Sequence, residues 1–398
     1  MSSSRPSAPR PGPRGRERRR LDPRGAYDPE ASPIRVGVIG AGNVLWAYLQ
    51  LLDRLASRGL VTVDSICCRS RRRWPEIHKR RPGASLVLDP LEVVDSDIDM
   101  AVVITSSDSH AELTRLALEH DKHVLVEKPF APSRGEGEEL VALAADRGVH
   151  LVAAPFVHLA PTFRALWTRI SDGVIGPVHS ARALYGTPGG GWNTWSYTSG
   201  GGALPELGIY NLKSLTSLCG PVTEVFAIED TYVKPRYVSG VAISDPVADV
   251  SHVLLRHVCG TISSVVASTA IQRYNRPAIE LYGTDGTANL LGDDWDPTGI
   301  EIWATSNGYW EHHDSLDPTW LWTDGVRELV MALRDRRAPL ANVEQDLHLL
   351  EVMDAAASSS RRKVPVEVRS RFEPIDLRLN LSDHRAHIHD HRRPPDEQ

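Results

Sequence analysis

Residues Ile34-Arg35-Val36-Gly37-Val38-Ile39 run straight into Gly40-Ala41-Gly42, and a helical pattern follows over residues 43–58. No other feature constrains the chain as strongly. The short apolar run between Pro33 and Gly40 reads as a buried parallel strand. Leu45, Tyr48, Leu51, Leu52 and Leu55 then recur at helical spacing. Strand, glycine turn and helix in this order make a dinucleotide fingerprint, with a purely structural glycine turn as the alternative. Gly40 permits the tight turn. Gly42 lets backbone N–H groups approach a pyrophosphate at the positive end of the helix. Gly40, Gly42, Asn43 and Val44 are therefore the expected cofactor-facing turn. Leu45 stands at the third glycine position, which governs helix–strand packing, so it predicts wider packing rather than lost binding.

The second strand, 61–67, ends in Cys68-Arg69-Ser70-Arg71-Arg72-Arg73. An NAD site usually shows an acid here, to hold the ribose 2′-hydroxyl, and this segment has none. Arginine can pair with a 2′-phosphate and serine can add a hydrogen bond. Arg69 and Ser70 are thus the expected clamp for NADP, with NAD the alternative and Arg71–Arg73 open to reading as a solvated helix start. A third strand, 100–104, leads into Thr105-Ser106-Ser107-Asp108-Ser109-His110. Helix 111–120 returns the chain to strand 123–126, which meets Glu127-Lys128-Pro129-Phe130. Helix 135–147 and strand 149–153 follow. Alternating strands and helices with short loops predict a parallel, doubly wound sheet with functional residues at the carboxyl ends of its strands.

A chain of 398 residues is long for one domain, and 41% hydrophobic with 24% charged residues suits a folded body. A net charge of −6 argues against a nucleic-acid or membrane polycation. No apolar run reaches the length of a membrane helix. Four cysteines without paired spacing suggest reduced thiols in a cytoplasmic protein, and no metal-ligand spacing stands out. Residues 1–32, rich in Arg, Pro, Ser and Gly, read as a disordered tail. Arg18-Arg19-Arg20 lacks the apolar stretch that a twin-arginine signal needs. Residues 373–398, with His384, His387, His389 and His391, read as an extended or disordered tail.

The strand with Gly40-Ala41-Gly42, then Glu127-Lys128-Pro129 at a strand end, then Gly200-Gly201-Gly202 with Glu206-Leu207-Gly208-Ile209-Tyr210, resembles the glucose–fructose oxidoreductase and inositol dehydrogenase (Gfo/Idh/MocA) family across residues 33–370. The resemblance implies an α/β enzyme with a Rossmann domain over 33–155. It also implies an α+β domain over 156–372, with an open-faced, mostly antiparallel sheet. That sheet often forms a subunit interface, so a homodimer or homotetramer is implied. So is hydride transfer between NAD(P) and a sugar, cyclitol or related carbinol. The lysine of Glu-Lys-Pro lies beside nicotinamide in the family, with a commonly cis proline bond after it. This makes Lys128 the catalytic charge or proton source, and Glu127 a group that positions the lysine or cofactor.

The family places an aspartate and, four positions later, a histidine or tyrosine on one helical face. Here these are Glu206 and Tyr210. Tyr210 is expected to be the proton donor or acceptor with a phenol pKa lowered by Lys128, and Glu206 to orient substrate or relay protons. Glutamate replaces aspartate, and Lys213 stands where an acid or amide is frequent. Thr105, Ser106, Ser107 and His110 stand in for the family's Thr-Pro-Asn loop on the cofactor. Ala154-Pro155-Phe156-Val157-His158 replaces a run with Asn and Arg. His158 is a substrate candidate or a packed histidine. Trp192 and Trp195, in a glycine-rich loop, suit a sugar's C–H face, with aromatic packing as the alternative, and Asn211 completes the substrate set. Alternation in 250–257, 262–268 and 278–282 predicts antiparallel strands. Helices 324–337 and 343–357 close the domain. Two other functions stay open: an enzyme with tightly bound cofactor and no net redox, which epimerises or cleaves a sugar, and a catalytically silent cofactor-binding sensor.

Overall fold

In the computed structural model, the described residues are 32–189, 194–198 and 200–378. The expectations for residues 1–31, for Trp192 and for the histidines beyond 380 lie outside them. The first unit alternates strand and helix: β1 (Ile34–Ile39), α1 (Leu45–Ser57), β2 (Val61–Cys67), α2 (Trp74–Arg80), β3 (Ser85–Val87), α3 (Pro90–Val94), β4 (Met100–Val103), α4 (His110–Glu119), β5 (His123–Val126), α5 (Arg134–Arg147) and β6 (Leu151–Ala153). All pairs are parallel, in the order β3-β2-β1-β4-β5-β6. Every residue of β4 and β6 is buried, which is why these runs are continuously apolar instead of alternating. The strand order reverses between β1 and β4. Loops leaving the two strands diverge there and open a crevice at their carboxyl ends.

The second unit contains α6 (Pro161–Ser171), β7 (Val178–Gly186), α7 (Ile209–Cys219), β8 (Val222–Asp230), β9 (Arg236–Val238), β10 (Val241–Ile243), β11 (Val250–His257), β12 (Ile262–Ser268), β13 (Ile279–Gly283), β14 (Gly286–Asp293), β15 (Asp296–Ala304) and β16 (Trp310–Asp314). It closes with α8 (Gly325–Asp335), α9 (Val343–Arg362) and β17 (Val366–Glu367). Its main sheet runs β16-β15-β14-β13-β7-β12-β11-β8-β17, and β9 and β10 form a separate hairpin. The β7–β12 pair is parallel and the other pairs are antiparallel, so the sheet is mixed. Alternation sets Val253 and Leu255 inward and His252, Leu254 and Arg256 outward. Leu212 and Leu215 of α7 and Val352 and Ala356 of α9 join the core on the inner face.

Two features depart from the division read in the sequence. Helix α8, which sequence assigns to the second unit, buries Val326, Leu329 and Val330 in the core that holds Leu45, Tyr48 and Leu52 of α1. The sheets separate near residue 155, but the first core is completed by a helix far downstream. The packed chain also runs past residue 372. Leu377 is 2% exposed, and Arg164 donates to the Leu377 carbonyl at 3.0 Å and the Arg378 carbonyl at 2.7 Å.

Candidate active site

The glycine turn follows directly on β1. Gly40 has φ +121°, and a Cβ there would lie 2.7 Å from the Ile104 carbonyl group at the end of β4. Only glycine joins this backbone conformation to that close approach. A Cβ on Gly42 would meet no protein atom within 4 Å, so its backbone borders open space. Leu45 is fully buried, and α1 starts there with Val44 before it. Arg69 and Ser70 are exposed just past β2. Arg73, from the run open to reading as a solvated helix start, reaches back to the turn: its guanidinium donates to the Gly42 carbonyl at 2.8 Å and Asn43 Oδ1 at 3.1 Å. These features fit a dinucleotide. The turn and α1 would hold the pyrophosphate, and the arginines beyond β2 would face the adenosine ribose.

The loops after β4 and β5 close the crevice. Ser106 donates to Asp108, and Ser109 donates to Thr105 Oγ1 at 2.8 Å, so these hydroxyls are tied within the loop. Ser107 opens the 3-10 turn that leads into α4. His110 is 1% exposed, with Nδ1 2.8 Å from the Pro129 carbonyl and Nε2 3.2 Å from the Thr105 carbonyl. It braces the two loops against each other. Burial pulls its pKa down, so a neutral ring donates to one carbonyl at a time. Glu127 accepts from Tyr48 Oη at 2.8 Å and from the Lys128 backbone N–H at 3.0 Å. Tyr48 thus pins Glu127, and its phenol is held well above its ordinary pKa first by burial and then by Glu127. The Lys128–Pro129 peptide is cis.

Lys128 crosses to the second unit. Its Nζ donates to Glu206 Oε2 at 3.0 Å and to the Glu206 carbonyl at 3.1 Å, and it sits 5.7 Å from the centre of the Tyr210 ring. A π-helical turn, Leu204–Gly208, precedes α7 and carries Glu206, so the acid and Tyr210 both meet the lysine. Glu206 Oε1 is buried without a hydrogen-bond partner among the described residues. The expected lowering of the Tyr210 pKa is corrected. Burial raises it well above its ordinary value, and Glu127, Glu206 and Asp294 push in the same direction. Tyr210 is therefore a phenol, not a phenolate, at neutral pH, and spectrophotometric titration should show no ionisation assignable to it below about pH 10. Loss of a phenolate signal at neutral pH in Tyr210→Phe would contradict this.

Other candidates lie deeper. Asn211 is 0% exposed, and its Nδ2 donates to Asp294 Oδ2 at 2.9 Å. His158 is 1% exposed, held neutral first by burial and then by Lys213. Lys213 itself is fully buried and bonds Asp346 at 2.7 Å, tying α7 to α9. Burial moves both members toward neutrality, with Asp346 pushed up to about 7, while their mutual attraction opposes the shift. Trp195 is partly exposed in the turn before the glycine run. Sequence reading missed Tyr48, Asp294 and Tyr185, whose ring meets Tyr210 edge-on at 5.9 Å. No group of three or more metal-ligating side chains occurs among the described residues. Nor does any described helix have the length and apolarity to cross a membrane.

A parallel sheet with a glycine turn at its switch point, joined through a Lys–Glu–Tyr cluster to a second, mixed sheet, defines a protein with a Rossmann-type dinucleotide fold and a second α+β unit. Residues 34–154 match the oxidoreductase family with an NAD-binding Rossmann fold, and residues 163–289 match the GFO/IDH/MocA C-terminal domain; the chain belongs to the GFO/IDH/MocA family. It is 33% identical over 187 residues to dTDP-3,4-didehydro-2,6-dideoxy-alpha-D-glucose 3-reductase from Actinomadura kijaniata, covering 46% of this chain and 55% of that protein. The chain thus spans about half the length of that relative. Over 276 residues it is 28% identical to trans-1,2-dihydrobenzene-1,2-diol dehydrogenase from Bos taurus, covering 68% of this chain and 77% of that one. The fold matches the crystal structure of an oxidoreductase domain protein from Kribbella flavida with TM-score 0.77 at 21% identity, covering 85% of this chain and 100% of that one.

Proposed function

We propose that the chain is an NADP-dependent oxidoreductase transferring hydride between the cofactor and a hydroxyl or keto group on a sugar-like ring. The observation that carries this is Lys128, 3.0 Å from the Glu206 carboxylate and over the Tyr210 ring, at the carboxyl edge of the Rossmann sheet. The bound nicotinamide supplies or accepts the hydride. Lys128 places a positive charge where a carbonyl oxygen gains negative charge, and Glu206 holds that ammonium in place. Tyr210, kept protonated by its surroundings, supplies the proton that a developing alkoxide needs. Glu206 Oε1 takes a neighbouring substrate hydroxyl. The names of the two relatives both describe oxygen functions on neighbouring ring carbons, which supports a cyclic carbinol or its ketone as substrate.

NADP is favoured over NAD by Arg69 and Ser70, exposed past β2 where no acid is present. Fluorescence titration should show NADPH binding at least about tenfold tighter than NADH, with Arg69→Ala removing most of the difference. Tighter NADH binding by the wild type would overturn the assignment. Screening sugars, cyclitols and their keto forms for change in the reduced-nicotinamide absorbance tests the activity itself. The outer face of the second sheet exposes Ile228, Leu254 and Ile262 at 63%, 50% and 46%. We assign this face to a homodimer or homotetramer contact. Light scattering that gives a monomer mass at micromolar concentration would contradict it.

A further inference from the structure

We propose that Asp294 is a positioning residue for the reaction centre: set behind Tyr210 and gripped by two side chains of α7, its carboxyl fixes the first turn of that helix and tunes the phenol's proton release through its own charge. This rests on the role given to Tyr210 above. Asp294 lies in the two-residue link between β14 and β15 and is 1% exposed. Its Oδ2 accepts from Asn211 Nδ2 at 2.9 Å and from Ser214 Oγ at 3.1 Å. Asn211 directly follows Tyr210 in α7, and Ser214 lies one turn further along. One carboxylate oxygen therefore ties the turn that carries the phenol to the tip of the β14–β15 hairpin. Both donors are 0% exposed, so removing the carboxyl leaves them buried and unpaired.

The second oxygen has a different status. Among the described residues, Asp294 Oδ1 is buried with no side-chain or neighbouring hydrogen-bond partner, and Asn211 Oδ1 is buried without one as well. A carboxylate bonded by two side chains on one oxygen, with only its own backbone N–H beside them, is poorly compensated in a buried site, whereas its protonated form carries no charge to compensate. The titratable groups close enough to interact with its charge are an acid and two phenols: Asp293 at the end of β14, Tyr210 from α7 and Tyr185 from β7. Asp293 is itself bonded by Tyr274 Oη at 3.0 Å. Burial, aided by Asp293, pushes the Asp294 carboxyl up to about 7. The sign of its effect on Tyr210 follows. An ionised Asp294 beside the phenol makes it a weaker acid, and a neutral Asp294 relieves that. Carbonyl reduction with Tyr210 as proton donor should therefore slow as Asp294 ionises.

Asp294→Asn keeps an oxygen acceptor and removes the charge. In the wild type, turnover in the reduction direction should fall several-fold from about pH 6 to about pH 8, and Asp294→Asn should flatten that limb. Ser214→Ala leaves the charge but removes a hydrogen bond that favours the ionised form, so it should keep the limb and move it to higher pH. A readout independent of turnover is the carbon-13 signal of ζ-labelled tyrosine, with Tyr210 assigned through Tyr210→Phe. That signal should move with a midpoint near pH 7 in the wild type and stay still in Asp294→Asn. A signal that moves in both proteins or in neither overturns the proposal, as does a pH limb unchanged in Asp294→Asn. A signal that moves only in the wild type, without turnover on any substrate, supports the coupling and counts against the oxidoreductase reading alone.

Discussion

Replacing Lys128 by Met should lower turnover by about a thousandfold while changing cofactor affinity only a few-fold. Methionine retains most of the length of the side chain but neither its charge nor its protons. In the wild type the ammonium is held by two oxygens of Glu206 and lies over Tyr210, so its position is set before substrate arrives. The Lys128 backbone N–H stays bonded to Glu127, and Glu127 to Tyr48, so the loop that borders the cofactor should keep its shape. The loss should therefore fall on kcat. Steady-state kinetics beside a cofactor titration would separate the two effects. A comparable loss of cofactor binding would mean that the lysine is part of the cofactor cradle and not of the reacting pair.

The two glycines of the turn should behave in opposite ways. Gly40→Ala forces a side chain into a positive-φ position 2.7 Å from the Ile104 carbonyl group. Backbone strain and overpacking together should cost about 3 kcal/mol or more, visible as a large drop in melting temperature of the cofactor-free protein. Gly42→Ala adds a methyl that meets no protein atom. Its melting temperature should hardly change, yet cofactor affinity should fall at least about tenfold, because the methyl occupies space that the pyrophosphate needs. Calorimetric titration of both variants checks this. Full cofactor affinity in Gly42→Ala would place the pyrophosphate elsewhere.

Much of the first unit could be read from the chain because its physics is local. A strand is apolar where both of its faces are covered, and β4 and the buried stretches Val36–Ile39 of β1 and Val124–Val126 of β5 show that as short runs that end at a glycine or polar loop. The Glu206–Tyr210 pair was found through its spacing and motif, and both side chains do meet Lys128. What escaped depends on distant contacts. Tyr48 carries the periodicity of a core residue, and nothing in that pattern reveals its hydroxyl on Glu127, 79 positions away. Arg73 belongs to a basic run whose composition suits a solvated surface, but the fold of β2 and α2 brings it onto the glycine turn. Helix α8 returns to the first core after the strands of the second sheet up to β16, and no local pattern encodes that return.

The Tyr210 pKa illustrates the same limit in electrostatics. Proximity of a lysine alone argues for a lowered value. The actual balance also includes burial and the carboxylates of Glu127, Glu206 and Asp294, contributed by three separate segments. Asn211 and His158 were candidates by residue type, yet their side chains are almost wholly enclosed, Asn211 against Asp294 and His158 near Lys213. Exposure is a property of the packed molecule, and single-residue chemistry does not supply it.

The central claim is hydride transfer at the Lys128–Tyr210 centre. It is tested most directly by mixing the enzyme with NADPH deuterated at both hydrogens of the reactive carbon and a keto sugar selected from the screen, then locating deuterium in the product by mass spectrometry. Wild-type enzyme should place one deuterium on the carbinol carbon, and Lys128→Met should do so about a thousandfold more slowly. Product formed without deuterium, or at the same rate in both proteins, would contradict the account.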